Sequence, residues 1–355
     1  MGYYPFGSRY FSDFTHSLRT ADFVIGLIEE SHTANEYAFA LGALAHYAAE
    51  NSGHPMVNHV VAIEVPALQN EVRRVVTYAV SPKAQVRAEL GFDMTQVGKN
   101  RYSFDRYHDF VGFEISRGLL KRVFPKVYGI KFDDVVDDED LAIRSFRHAL
   151  SRLIPEITRV ALLARRKGIV ADTPDAAEKK YLYYLSRTDY ERRWDREYRR
   201  AGFGTKLLAI GLKLFPKKGP FSGLDFKTPR QAEDLFVKSI DDTVDSYQRL
   251  LHDSDKGTLR LANKDCDAGQ ETRAGEYTRS DTTYAHLVDD LSDSVSKHVT
   301  PELRENILAF YANPYVPLAT KRKRKTWKTG PGRIAAIEGD YSRHAGRWGG
   351  PPAKF

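Results

Sequence analysis

Apolar residues recur every three to four positions along most of this chain, which is the spacing of amphipathic helices. Strand-like runs are scarce, and only VVAIEV at 60–65 and VVTYAV at 75–80 have a short β-like pattern. The pattern therefore predicts an all-α, multi-helical protein. The predicted helices cover residues 15–30, 33–51, 57–72, 83–98, 105–123, 139–166, 175–200, 228–252, 281–297 and 301–311.

The second of these helices has clear start and stop signals. Thr33 and Glu36 have the spacing of a capping box, and Asn35 is an alternative cap. Gly53 and Pro55 are typical of a helix end, so the helix is expected to finish near residue 51. The segment 253–280 is rich in turn residues and predicts no helix.

Composition limits the class of protein and the residue types that could bind a metal. Hydrophobic residues make up 42% of the 355, as in ordinary globular proteins, and no stretch has the 18 apolar residues of a spanning helix. The N-terminal residues as written have no signal-peptide core. Because Cys266 is the one cysteine, disulfide frameworks and multi-cysteine zinc sites are excluded. Any metal must be held by histidines and carboxylates.

Positive charge is concentrated near the C-terminus. The net charge is +7, and KRKRKTWK at 321–328 supplies six positive charges. A solvated tail is the simplest interpretation, and contact with the phosphates of anionic lipid or nucleic acid is the alternative. The Gly-, Pro- and Arg-rich residues that follow predict disorder. The apolar, lysine-ended stretch 204–222 predicts a buried helix, or else a segment for a lipid surface.

The most informative local pattern is a stripe of possible metal ligands. His46, Glu50 and His54 are four residues apart, and each helical step of four rotates by about 40°, so the three side chains share a narrow face. Imidazole and carboxylate are ligands that zinc takes. The stripe is consistent with one ion or two adjacent ions, and also with an ordinary exposed helix face.

The segment LGALAHYAAENSGHP at 41–55 resembles the central signature of the zinc-dependent phospholipase C superfamily, which also includes single-strand nucleases. His16 in DFTHSLR matches an isolated upstream histidine of that family. Gln85, Glu89 and Asp93 match a later His-x-x-x-Glu motif, continued to an Asp, although glutamine replaces the histidine. Glu50 likewise replaces an aspartate. The resemblance implies an all-helical fold. Members of the family hold up to three zinc ions, and we expect fewer in this chain.

The resemblance also implies the roles of individual residues. His16, His46 and Glu50 would bind one ion. His54 and Glu89 would bind a second, with Gln85 as a poor third ligand. Asp13 and Asp93 would support the ligands, and no catalytic residue is assigned.

The function that follows is a zinc-dependent phosphodiester hydrolase acting on phospholipid head groups. A metal-poor family member with a binding or structural role is the alternative, and a single-strand nuclease is the second one. The expected organisation is a phospholipase C-like helical domain over 1–200, a helical extension over 201–318 and a disordered basic tail over 319–355. The resemblance implies that further family ligands would precede Met1. Members of the family are usually exported, so we expect export if the true start lies upstream.

Overall fold

A computed structural model describes residues 10–64, 84–85, 88–89, 115–148, 230–293 and 299–312. The fold is all-α, as the hydrophobic spacing predicts, apart from one short hairpin in this part of the chain. The predicted helix 175–200, the stretch 204–222, the run 75–80 and the basic tail lie outside the described residues. The elements are α1 (Tyr10–Ser17), α2 (Thr20–Glu29), α3 (Ala34–Glu64), α4 (Arg117–Tyr128), α5 (Phe132–Val135), α6 (Glu139–His148), α7 (Arg230–Asp255), β1 (Lys264–Asp265), β2 (Gln270–Glu271), α8 (Thr278–Asp293) and α9 (Pro301–Phe310).

The chain divides into two compact units, which are described separately. Among the described residues, unit I holds 52–64, 84–85, 88–89, 115, 139–148 and 230–246. Unit II holds 10–51, 116–138, 247–293 and 299–312. The domain boundaries expected near residues 200 and 318 fall outside the described residues, so that division stays a prediction.

The single helix predicted over 15–30 is wrong, because the structure has two helices with a break between them. Arg19, at the break, adopts a left-handed backbone conformation with φ 44° and ψ 40°. This conformation costs a non-glycine residue about 1–2 kcal/mol. Two hydrogen bonds offset the cost, since Arg19 Nε donates to Asp22 Oδ2 at 2.6 Å and Nη1 donates to the Val127 carbonyl at 2.6 Å. A hydrophobicity pattern carries no sign of such a bond across 108 residues.

The predicted helix end near residue 51 is also wrong. Helix α3 continues through Gly53 and Pro55 to Glu64, so the strand-like run that starts at residue 60 is helical in its described part. Proline removes one backbone donor and strains the preceding turn, which makes it a frequent but not obligatory helix end. The turns beyond it are stabilised by packing, because Val57 and Val61 are buried in the core of unit I.

Several other boundaries differ from the predicted ones. Of the helix expected over 105–123, residues 105–114 lie outside the described residues, 115–116 are not helical, and α4 begins at Arg117. The turn-rich segment contains a hairpin that the sequence did not indicate, in which Lys264 pairs with Glu271 and Asp265 with Gln270. Strands of two residues are too short to show an alternating pattern. The helices α7, α8 and α9 lie within three residues of their predicted starts.

An aromatic cluster in unit II packs α1 and α2 against α4. The rings of Phe14 and Tyr128 stack with centroids 5.4 Å apart, and those of Phe124 and Tyr128 are 4.7 Å apart. All three residues are fully buried. The Tyr128 hydroxyl donates to the Leu18 carbonyl at 3.1 Å, at the end of α1. These contacts hold the helix that carries His16.

Helix α3 is held in unit II by a second apolar cluster. Val24, Leu44 and Tyr47 are buried together, and leucines of the 250–261 region pack against them. The Tyr47 hydroxyl donates to the Ala262 carbonyl at 2.8 Å. Within the described ranges, no helix is both long and apolar enough to cross a membrane.

Candidate metal centre

Three of the five predicted ligands come together in unit II. His16 lies on α1, and His46 and Glu50 lie one turn apart on α3. His46 Nε2 is 3.3 Å from His16 Nε2 and 3.1 Å from Glu50 Oε1, and His16 Nε2 is 3.7 Å from the same Glu50 oxygen. They form a group of the kind that could hold a metal ion, with ligand atoms all within 4.8 Å of one another.

The triangle of ligand atoms has the size that a tetrahedral zinc site requires. Zinc ligands at about 2.0–2.2 Å from the ion are about 3.3–3.6 Å from one another. The three observed edges of 3.1, 3.3 and 3.7 Å bracket this range. The centre of the triangle lies about 2.0 Å from each atom, and an ion slightly above its plane would be about 2.0–2.2 Å from all three, so the spacing is compatible with zinc.

The hydrogen bonding of His16 directs the correct ring nitrogen to the centre. His16 Nδ1 is 2.8 Å from the Ser12 carbonyl oxygen, one turn earlier on α1. Since a carbonyl accepts and cannot donate, Nδ1 carries the proton and Nε2 presents its lone pair to His46 and Glu50. An imidazole whose second nitrogen donates to a backbone carbonyl is the usual arrangement in protein metal sites.

One side of the centre is open to solvent. The side chains of Glu50 and His16 are 14% and 20% exposed, whereas that of His46 is 59% exposed. If the three residues held zinc, a fourth ligand position would remain for water or substrate, as in catalytic zinc sites and unlike closed structural ones. The exposure of His46 gives that position a route to solvent.

The pKa of His16 reflects this environment. Burial by itself would lower the pKa, but the hydrogen bond and attraction from Glu50 outweigh it, with smaller contributions from Asp267 and the Ser12 carbonyl. The net result is a raised pKa for His16. A site that stabilises a proton on Nε2 also stabilises another cation there.

The other predicted ligands lie in unit I. His54 Nδ1 is 3.9 Å from Glu89 Oε1. Gln85 is fully buried, and its amide nitrogen donates to the Asn58 oxygen at 2.5 Å. Asp93 lies outside the described residues. The structure thus brings His54 and Glu89 together, but an amide pair occupies the position where the resemblance implies a further imidazole.

Residues 1–131 match the family model for zinc dependent phospholipase C. These residues are similar to that family, and we call them the phospholipase C segment. No curated protein and no solved structure gives a significant match to the chain. All five predicted ligands lie within the phospholipase C segment.

Sequence reasoning missed two carboxylates that flank Cys266, whose N–H donates to the His16 carbonyl, and both come from outside the phospholipase C segment. Asp267 contributes to the raised pKa of His16, and Asp265 is fully buried and is repelled by Asp267. Arg279 Nη1 is 3.0 Å from Asp267 Oδ2, and Arg279 Nε is 3.7 Å from Asp13 Oδ1. The signal in the sequence was the pair of aspartates in KDCDAG at 264–269, where a turn-rich segment holds two closely spaced acids.

Proposed function

We propose that this protein is a zinc-dependent phosphodiester hydrolase of the phospholipase C type that acts on phospholipid head groups. The observation that supports it is the spacing of the ligand atoms of His16, His46 and Glu50, here called the triad, within the segment that matches the family model for zinc dependent phospholipase C. The family match supports the reaction class, and the triad would supply a metal centre with an accessible face.

The residues of the triad would bind the ion, and a neighbouring backbone group would support them. His16, His46 and Glu50 would hold the ion, and the Ser12 carbonyl would keep His16 in the tautomer that binds. A zinc ion held this way lowers the pKa of a bound water and polarises a phosphoryl oxygen. Two neutral imidazoles and one carboxylate leave the loaded centre with a net positive charge, which favours an anionic phosphodiester. The open side at His46 admits the head group.

The test compares zinc content with hydrolysis. After removal of metal with a chelator, zinc is added back and release of phosphorylated head group from phosphatidylcholine vesicles is measured. We expect activity to return with zinc, and we expect His46→Ala to lose at least about 100-fold because one of three ligands is gone. Single-stranded DNA serves as a second substrate to test the nuclease alternative.

His59→Ala is the matched control, because His59 is an exposed histidine on the same helix. It should keep wild-type zinc affinity and activity. A wild-type protein that stays inert on phospholipid under saturating zinc would contradict the proposal.

A metal-poor family member with a binding role is the second candidate. The hydrogen bond between the buried amides of Gln85 and Asn58 supports it, because an amide is a much weaker zinc ligand than imidazole. Zinc stoichiometry separates the candidates. If Gln85→His raises the number of bound zinc ions and the activity together, the hydrolase proposal gains support.

A further inference from the structure

A segment far from α1 and α2 in sequence is hydrogen-bonded to the junction between them. We call residues 263–281 the clasp. Arg19, the residue before α2, makes no side-chain cap to that helix. Asn263 caps it instead, since its Oδ1 accepts from the backbone N–H groups of Ala21 at 3.0 Å and Asp22 at 3.2 Å. Such caps satisfy donors that the first turn of a helix cannot pair internally.

The clasp also binds the end of α1. The Cys266 N–H donates to the carbonyl of His16 at 2.8 Å, and the Thr272 hydroxyl donates to the carbonyl of Ser17 at 3.2 Å. The Thr20 hydroxyl donates to the Lys264 carbonyl at 2.8 Å and lies 3.0 Å from the Lys264 N–H. The last carbonyls of a helix need partners outside it. Here the clasp supplies such partners to the carbonyls of Ser17 and of His16, which is itself a predicted metal ligand.

Ion pairs also connect the clasp to α1. Asp267 comes directly after Cys266 and is 4% exposed, and a carboxylate this buried requires a charged or hydrogen-bonding partner. Arg279 supplies it at 3.0 Å. The same guanidinium group lies 3.7 Å from Asp13, which precedes His16 by one turn of α1. Arg279 therefore links the clasp to the helix of His16 at a second point.

We propose that Asp267, held by Arg279, is a positioning residue of the metal centre. Its ion pair and the neighbouring Cys266 hydrogen bond fix the end of α1 so that His16 faces His46 and Glu50, and its charge favours a cation beside His16. The proposal rests on the proposed function in one respect, that the triad binds a divalent metal. It means that residues outside the phospholipase C segment complete the site of that segment.

The test measures metal binding by the full-length protein. Asp267→Asn keeps the shape of the side chain and removes its charge, and we expect it to weaken zinc binding by about 10- to 100-fold. In the cobalt-substituted protein, the visible absorption bands should shift or weaken because the geometry at His16 changes. Asp267→Glu, which restores the carboxylate, should recover most of the affinity.

Glu36→Gln is the matched control. Glu36 pairs with Arg122 at 2.7 Å in the same unit, so the change also converts an arginine-bound carboxylate to an amide, but away from the triad. It should leave the zinc dissociation constant within about twofold and the cobalt spectrum unchanged, since outer charges act strongly only near the ion.

Wild-type affinity and spectrum in Asp267→Asn would overturn the positioning role. If that variant does not fold, Arg279→Lys takes its place, because it keeps the charge but loses the planar group that reaches both aspartates. We expect it to lower zinc affinity several-fold, and wild-type values there would overturn the proposal equally. Failure of the wild-type protein to bind zinc or cobalt is a different result, which would reject the proposed function itself.

Discussion

At the scale of single residues, Asp265 is in an unusual environment for a carboxyl group. It is fully buried, and the Ser280 hydroxyl donates to it. Burial first, and then repulsion from Asp267, raises the pKa of its carboxyl group to about 6. A carboxyl group that gains a proton on folding makes stability depend on pH in the opposite sense to an ordinary ion-paired acid.

The consequence is a testable pH dependence. Between pH 4 and 6 the folded protein holds the Asp265 proton and the unfolded chain, with a pKa near 3.8, has lost it. The stabilisation is therefore present at pH 4 and is lost as the pH rises through about 6. Asp265→Asn cannot titrate, so its stability relative to wild type should increase over this range, as measured by urea unfolding in the presence of a chelator.

Glu36→Gln provides a control of opposite sign. The Arg122 hydrogen bond lowers the pKa of Glu36, so the stability that this carboxylate contributes is lost as the pH falls. The difference between Glu36→Gln and wild type should therefore shrink toward low pH. A difference between Asp265→Asn and wild type that does not change with pH would contradict the account of Asp265.

The sequence indicated the ligands of the triad to different degrees. His46 and Glu50 follow from spacing, because residues four apart on a helix share a face. His16 lies 30 residues earlier, and only the family resemblance pointed to it. Asp267 could not be predicted, since it lies 251 residues from His16 in a segment with no periodicity.

At the scale of elements, the packing of α2 on α4 depends on a residue without a side chain. A Cβ atom placed on Gly26 would lie 3.0 Å from Val123 Cγ1 and 3.6 Å from Val127 Cγ2. Both valines are buried, so they have little room to move. Gly42, inside α3, has nothing within 4 Å of the same position.

The two glycines make a matched pair. Alanine is favoured over glycine inside a helix by about 1 kcal/mol, so Gly42→Ala should stabilise the protein by up to that amount. Gly26→Ala gains the same preference but overpacks the interface, which costs about 1–3 kcal/mol. We expect Gly26→Ala to be less stable than Gly42→Ala by at least about 1 kcal/mol in chemical denaturation. Equal stabilities of the two variants would contradict this account and would show that α4 can shift away from α2 at little cost.

Hydrophobic periodicity predicts the presence of helices better than it predicts where they begin and end. It identified the helical character of most described segments, because an amphipathic face persists over many residues, but not the short helix α5 or the start of α1. It missed the break at Arg19, which depends on a bond to Val127, and the continuation past Pro55, which depends on burial of Val57 and Val61. Both are decided by contacts with other parts of the chain.

At the scale of the whole molecule, unit II is assembled from separate stretches of sequence. His16, His46 and Glu50 belong to the first stretch, α4 to the second, and the clasp to the third. An ion bound by the triad would join α1 to α3 directly. Metal binding should therefore stabilise the fold of this unit, in addition to any role in catalysis.

This gives a prediction for metal removal. Zinc at about 100 times its dissociation constant should raise the free energy of unfolding by about 2.7 kcal/mol, provided that the unfolded chain does not bind it. The midpoint of thermal unfolding should fall when a chelator is added to the wild-type protein. His46→Ala should show little response to zinc or chelator, whereas a wild-type response in that variant would place the stabilising ion elsewhere.

The cap that Asn263 provides for α2 has a consequence for biosynthesis. The ribosome delivers α1, α2 and the predicted ligands early, but the hydrogen bonds that finish the α1–α2 junction come from residues synthesised more than 240 positions later. Contacts of such long sequence separation form late in folding. We therefore expect the nascent phospholipase C segment to emerge without a finished binding site, so that acquisition of the ion follows completion of the chain.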